Sequence, residues 1–236
     1  MITETSEPIS NDRMTELTCL VLTNAVYFKS DWASKFSEHA TKDGPFTLTD
    51  GKSVTVPLMT QWTHVEYMET GKFQLVDLPY KSHVLSMTVL LPRRVSDLVA
   101  LERKLSARTL NRWIRRSEVT HVDLTLPRFT FSSQFSLKST LCALGMTDVF
   151  DPAGANLSGI TNAEKLSLSV VLHKAIVAVD EESTEAAVAT ATVATIGAMP
   201  QTPEVVFRAD RPFLFLIRHC PTGTVLFIGR LENPAT

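Results

Sequence analysis

The amino-acid sequence predicts a mixed α+β fold with more than one β-sheet. Most segments carry short alternating or continuous apolar runs, which predict half-buried and fully buried strands respectively. Helical periodicity appears in only two segments, residues 95–116 and residues 136–145. With 236 residues, 44% of them hydrophobic, the chain is large enough for one large domain or two small ones.

The composition argues against nucleic-acid and membrane partners. A net charge of −2 provides no field that attracts nucleic acid or an anionic membrane. No apolar run reaches the roughly 20 residues of a membrane helix, and the polar, acidic N-terminus is not typical of a signal peptide. Cys19, Cys142 and Cys220 have neither disulfide-framework nor metal-ligand spacing, so we expect buried or half-buried free thiols.

The first half of the chain is predicted to consist mainly of strands. Residues 17–32 are continuously apolar, which predicts a strand covered on both faces. Residues 44–61 contain two alternating runs joined by Asp50 and Gly51, a strong hairpin signal. Two further strands are predicted at residues 73–80 and 84–94.

Helices interrupt the strand pattern twice. Residues 95–116 predict one or two amphipathic helices, with Ser96 and Ser106 as capping residues. Residues 136–145 predict a short helix that ends at Gly145. Single strands are predicted at four further segments: 122–131, 165–182, 204–219 and 224–234.

The sequence contains no recognisable catalytic motif. The patterns GxSxG, HExxH and GxGxxG and a phosphate-binding loop are all absent. We therefore predict a protein that is not an enzyme and that uses neither a metal nor a cofactor. His64, His83 and His121 are expected at the surface near strand ends. His173 lies inside an apolar strand and is expected to be a hydrogen-bonded core residue.

One segment, residues 181–203, has an unusual composition. Residues 186–203 carry no charged side chain and consist largely of Ala, Thr and Val. If residues 184–195 formed a strand, only Glu185 would bring a charge into the sheet. The same small side chains also tolerate exposure to water. The residues alone leave three alternatives open: a strand that inserts into a sheet, an ordinary loop and a helix.

The order of motifs around this segment resembles the serpin family of serine protease inhibitors. LVLTNAVYFKSDWASKF resembles the third strand of the family's main sheet, and LPRFTF, LGM and HKAIVAVDEESTEAAVATA follow in the family's order. FRADRPFLFLIRH and FIGRLENP resemble its C-terminal signature. The matches run from about residue 15 to residue 234. The resemblance implies a multi-sheet α+β serpin fold as one domain over residues 1–236, with an exposed hinge and reactive-centre loop at residues 181–203.

The resemblance also implies inhibition by a suicide route, with a serine protease as the partner. The protease is acylated at a bond of the loop, which then inserts between the strands at residues 17–29 and 166–179. The loop contains no Lys or Arg between residues 186 and 203, which favours elastase- or subtilisin-like proteases with small or apolar pockets. An extracellular location is expected from the family alone. The alternative is a non-inhibitory relative that acts as a carrier or chaperone.

Site residues follow from the same resemblance, position by position. Asn24 and His173 resemble the polar pair at which the two strands separate. Trp32 resembles the tryptophan at the top of that opening. Arg128 and Glu181 resemble a basic–acidic pair at the base of the loop. Family spacing from the hinge places the reactive bond at Gly197–Ala198, whereas spacing counted back from the segment PEVVF, which begins at Pro203, makes Met199 the specificity residue. Gly197–Ala198 is favoured, because a proline on the leaving side of Met199 hinders attack. The hinge comprises Glu181, Glu182, Ser183, Thr184, Glu185, Ala186, Ala187, Val188 and Ala189.

Two departures from the family pattern carry expectations of their own. Ser183 stands where inhibitory members usually carry Gly, and its narrower backbone range is expected to stiffen insertion. The resemblance begins near the third strand of the main sheet, so the sequence is expected to represent the C-terminal two-thirds of the domain. The N-terminal helices and first strands are expected to be missing. Such a chain is expected to expose apolar sheet faces.

Overall fold

The computed structural model describes residues 20–160, 166–181 and 205–235. Cys19, the hinge beyond Glu181 and the reactive-bond positions Gly197, Ala198 and Met199 lie outside these ranges. The chain divides into two compact units, one containing residues 1–27 and 132–176 and the other residues 28–131 and 177–236. None of the described helices is long and apolar enough to cross a membrane.

A three-stranded sheet has the order β1–β8–β7. Its strands are β1 (Leu20–Phe28), β7 (Phe129–Ser136) and β8 (Leu168–Val179). A short helix, α3 (Lys138–Ala143), follows β7 and ends before Gly145, whose φ of +96° is strained for residues with a side chain. Leu168 and Val171 of β8 pack with Phe150 in the core of the first unit.

The strand predicted at residues 17–32 forms, but the predicted cover on both of its faces is wrong for the described residues. Residues 22–27 of β1 are all exposed, and Leu22 and Tyr27 keep 53% and 63% of their surface accessible. The apolar composition is compatible with a strand in either environment, because it reports side-chain preference and not the presence of a covering layer. Burial of β1 is therefore a tertiary property.

The second unit is built on an eight-stranded sheet. Seven of its strands follow the order β11–β10–β5–β4–β3–β6–β9, and the eighth, β2, pairs with β3. The hairpin of β2 and β3 turns where predicted, at Gly51, which has a φ of +82°. The strands are β2 (Lys42–Thr47), β3 (Ser53–Glu69), β4 (Phe73–Pro79), β5 (Leu85–Pro92), β6 (Glu118–Pro127), β9 (Val205–Arg208), β10 (Phe213–His219) and β11 (Thr224–Leu231).

Two helices, α1 (Leu98–Lys104) and α2 (Ala107–Ile114), follow β5. Ser106 caps α2 as predicted, since its hydroxyl accepts from the Thr109 amide while the Thr109 hydroxyl accepts from the Ser106 amide. The predicted cap at Ser96 is wrong, because Ser96 lies within a 3₁₀ turn (Val95–Asp97) that precedes α1. Leu98, Leu101 and Leu110 bury the apolar faces of both helices against β4, β5 and β10.

Two predicted single strands are in fact pairs of strands. The apolar run at residues 122–131 divides at Arg128 into β6 and β7, which belong to different sheets. The run at residues 204–219 divides at residues 209–212 into β9 and β10, which lie at different positions of the large sheet. Hydrophobic pattern marks extended chain, but the change of sheet depends on partners that are distant in sequence.

The described cysteines are both free, but only one has the predicted burial. Cys142 is half-buried, as expected, whereas Cys220 is exposed in the turn that joins β10 to β11.

Candidate functional site

The chain leaves β8 at Val179, and the next two residues are fixed by four side chains from other parts of the second unit. We call this set the hinge anchor: Lys29, Trp32, Thr41 and Arg128, holding Asp180 and Glu181. The anchor is where the predicted hinge begins. Its contacts therefore fix the two residues that follow β8.

Trp32 reaches the anchor from the segment that follows β1. Its indole is 4% exposed, and its Nε1 donates a hydrogen bond to the Asp180 carbonyl at 2.9 Å. One face of the indole stacks on Tyr80 at 4.6 Å between ring centroids, and Phe36 meets its edge at 6.1 Å. Burial raises the pKa of the Tyr80 phenol, which therefore stays neutral at physiological pH. Trp32 is thus held in a single orientation by aromatic packing.

Charged groups complete the anchor. The Lys29 ammonium lies 2.6 Å from an Asp180 carboxylate oxygen. Glu181 is 5% exposed, and its Oε1 accepts a hydrogen bond from the Thr41 hydroxyl at 2.6 Å. The other Glu181 oxygen lies 3.6 Å from the Arg128 guanidinium, which is half exposed. A buried carboxylate requires such partners, since an unpaired one costs several kcal/mol.

Thr41→Val is expected to lower the free energy of unfolding by about 2 kcal/mol, because it removes the donor to a buried carboxylate while keeping the side-chain volume. Urea unfolding measures the change. Thr49→Val is the matched control, since Thr49 is exposed and the same change there is expected to have little effect. A Thr41→Val protein as stable as the wild type would show that the hydroxyl contributes nothing to holding Glu181.

Asn24 and His173, the predicted polar pair, lie on the neighbouring strands β1 and β8 of the first unit. Asn24 is exposed and His173 is half-buried. The expectation of a hydrogen-bonded core histidine is wrong for the part of the chain that is described, since no residue there hydrogen-bonds the His173 ring. The physical reason is that the His173 ring is only half-buried, so water can take the place of a protein partner.

Sequence reasoning missed Lys29, Thr41 and Asp180. Thr41 and Glu181 are 140 residues apart in sequence, and nothing in the local pattern around Thr41 marks it as a partner. Lys29 lies within a motif that was recognised, but the motif does not indicate which carboxylate the ammonium contacts. Within the described ranges no three His, Cys, Asp or Glu side chains gather into a group that could hold a metal.

Comparisons with known proteins agree with this architecture. A family model described as "Serpin (serine protease inhibitor)" matches residues 3–234. The leukocyte elastase inhibitor of Xenopus laevis is 40% identical over 234 residues, and the match covers 97% of this chain and 61% of that protein. Human serpin B3 is 42% identical over 221 residues, covering 92% of this chain and 56% of that protein.

A crystal structure of native protease nexin-1 with heparin superposes with a TM-score of 0.81 at 37% identity, covering 96% of this chain and 59% of that one. The large sheet, the small sheet and the order of the sequence motifs together define a multi-sheet α+β fold of the kind found in these serpins. The chain belongs to the serpin family. It spans about 61% of the length of its Xenopus laevis relative, slightly less than the two-thirds that were predicted.

Proposed function

We propose that the protein inhibits serine proteases as a suicide substrate and is not itself an enzyme. The catalytic serine of the protease attacks the carbonyl of Gly197, the Gly197–Ala198 bond breaks, and an acyl-enzyme forms on Gly197. The hinge then inserts as a strand between β1 and β8 and carries the acylated protease with it. Met199 is the alternative specificity residue.

The observation that carries this proposal is the strand order β1–β8–β7, combined with the position of the hinge directly after β8. A chain that folds back on leaving β8 can add a strand beside β8 if β1 separates from it. β8 has 12 residues, and residues 184–195 supply a strand of the same length with a charge only at Glu185. The hinge anchor gives this movement a fixed starting point at Asp180 and Glu181.

The composition of the loop supports targets with small or apolar specificity pockets. Residues around the proposed bond are Ile196, Gly197, Ala198 and Met199, and none is basic. A protease whose specificity pocket contains a carboxylate for binding a basic side chain would find no Lys or Arg to bind at these positions. Several relatives carry the name leukocyte elastase inhibitor, which agrees with an elastase-like target.

Incubation with pancreatic elastase, subtilisin, trypsin and chymotrypsin tests the proposal. We expect an SDS-resistant covalent complex with elastase or subtilisin and none with trypsin. Mass spectrometry identifies the first residue of the released C-terminal fragment, which is expected to be Ala198. Cleavage by every protease without any complex would instead assign the chain to the non-inhibitory relatives, and a fragment that begins at Pro200 would favour Met199.

A further inference from the structure

Two histidines face each other on the outer side of the large sheet. His64 on β3 is directly opposed by His121 on β6, and directly opposed residues share a face. Their rings stack at 4.7 Å between centroids, with an angle of 12° between the ring planes. The alternate residues of β3, Thr63 and Val65, are buried on the other face. We call His64 and His121 the histidine pair.

The structure separates the three histidines that were expected at the surface near strand ends. The exposure predicted for His64 and His83 is confirmed. His121 is half-buried in mid-strand, and Trp62 meets its ring edge-on at 6.4 Å. The prediction of a surface histidine near a strand end is therefore wrong for His121, since β6 extends on both sides of it.

The ring nitrogens of the histidine pair have no role in the hydrogen bonding of the fold. Within the described part of the chain, neither ring has a hydrogen-bond partner, and the Nδ1 atom of His121 is also buried. A buried polar atom without a partner is uncommon in native proteins, and one explanation for it is an ion that binds there. The neutral imidazole is also the side chain that most often ligates metals in proteins.

The charges around the histidine pair favour a cation. Glu66 and Asp123 each follow one member of the pair by two residues, so both carboxylates lie on the same face as the rings. Both side chains are half-buried, and neither has an ion-pair partner among the described residues. Arg208 on the neighbouring strand β9 is paired with Asp210 at 3.3 Å. The two carboxylates therefore give this face a negative potential that attracts cations.

The geometry points to the histidine pair as a binding site for one divalent transition-metal ion, such as Zn²⁺, Ni²⁺ or Cu²⁺, with one nitrogen ligand from each ring. Imidazole suits these ions, whereas Mg²⁺ and Ca²⁺ prefer oxygen ligands. The described residues place no third His, Cys, Asp or Glu where it could complete a group of three ligands, so water fills the remaining coordination positions. The ion joins β3 to β6, and its binding does not depend on protease inhibition.

Small movements of the rings bring two nitrogens within reach of one ion. A Zn–N distance of about 2.0–2.1 Å places two ligating nitrogens at most about 4.2 Å apart. The ring centroids are 4.7 Å apart, and the exposed His64 ring can tilt towards His121 by rotation about its side-chain torsions. Among the described residues, neither ring has the carboxylate or carbonyl partner that strengthens the ligands of dedicated metal sites. We therefore expect weaker binding than at a structural zinc site.

Isothermal titration calorimetry of the untagged chain with ZnCl₂, CuCl₂ and MgCl₂ tests this inference. We expect one ion to bind per chain, with Cu²⁺ bound more tightly than Zn²⁺ and no binding of Mg²⁺. His64→Phe and His121→Phe keep a ring that can stack but remove both nitrogens, and each is expected to raise the Kd for Zn²⁺ at least about tenfold. Zn²⁺ is expected to raise the stability of the wild type to urea, but not that of either phenylalanine variant.

Two control variants remove other groups that could bind the ion. His83→Asn removes an exposed imidazole outside the pair, and Asn tolerates the φ of +54° at this position. Cys220→Ser removes the exposed thiol. Both are expected to leave the Kd unchanged. Absence of Zn²⁺ and Cu²⁺ binding to the wild type, or equal binding by the phenylalanine variants, would overturn the metal site and leave the proposed function intact.

Discussion

Under the proposed mechanism, Ala186→Arg is expected to convert the protein from an inhibitor into a substrate. The proposed inserting strand, residues 184–195, brings no charge into the sheet beyond Glu185. A guanidinium at residue 186 would have to be desolvated as this strand enters between β1 and β8. An unpaired buried charge costs several kcal/mol, and about 1.4 kcal/mol corresponds to a tenfold change in partitioning. The acyl-enzyme is therefore expected to hydrolyse before insertion traps it.

The ratio of SDS-resistant complex to cleaved protein measures this partitioning. We expect the number of inhibitor molecules cleaved per complex to rise at least tenfold for Ala186→Arg. Ala186→Ser is the matched control, because it keeps a small, uncharged side chain and is expected to trap protease as the wild type does. Equal trapping by the arginine and serine variants would mean that residue 186 is not buried in the inhibited complex. Ser183→Gly is expected to act in the opposite direction, since it widens the backbone range of the hinge.

Asp77→Ala is expected to lower the free energy of unfolding by about 3 to 5 kcal/mol. Both Asp77 carboxylate oxygens lie within 3.0 Å of the Arg218 Nη2, and the two side chains are only 14% and 6% exposed. The Arg218 Nε donates to the Thr88 hydroxyl at 2.8 Å, and the Ser86 hydroxyl accepts from Nη2 at 3.2 Å. The network joins β4, β5 and β10, so removing the carboxylate leaves a guanidinium buried without its counter-charge.

Urea unfolding of three variants separates this effect from a general loss of packing. Glu102→Ala breaks the exposed pair between Glu102 and Arg230 and is expected to cost about 0.5 kcal/mol or less. The double variant Asp77→Ala/Arg218→Met removes both buried charges and is expected to recover most of the stability lost in Asp77→Ala. If the double variant were less stable than Asp77→Ala, the pair would not be the source of the loss.

Local chemistry was sufficient to predict most strands and turns of the fold. The hairpin at Asp50 and Gly51, the cap at Ser106 and the helix end at Gly145 all depend on interactions within a few residues. The division of residues 122–131 at Arg128 was not predictable, because the same apolar pattern continues while the chain changes from one sheet to another. The predicted cover on both faces of β1 was wrong, since an apolar strand has the same composition with or without a covering layer, whereas the family resemblance did imply exposed apolar sheet faces.

Some residues of the hinge anchor were predictable from the sequence, and others were not. Resemblance in sequence identified Trp32, Arg128 and Glu181, and the structure brings all three to the end of β8. It could not identify Thr41 or Asp180 as partners, because a hydroxyl or a carboxylate has no distinctive pattern before the chain folds. The partnership of Arg218 with Asp77 was missed for the same reason, although both residues lie in predicted strands.

By itself, the sequence determined the family, the sequential order of strands and helices, and the uncharged composition of the segment after β8. These follow from side-chain types and their spacing, which are properties of the chain before folding. Only the tertiary structure decided that β1 and β8 are neighbours and that Asp180 and Glu181 are held by four distant side chains. Each of these depends on strand register or on contacts between residues more than fifty positions apart in the sequence, which local preferences do not specify.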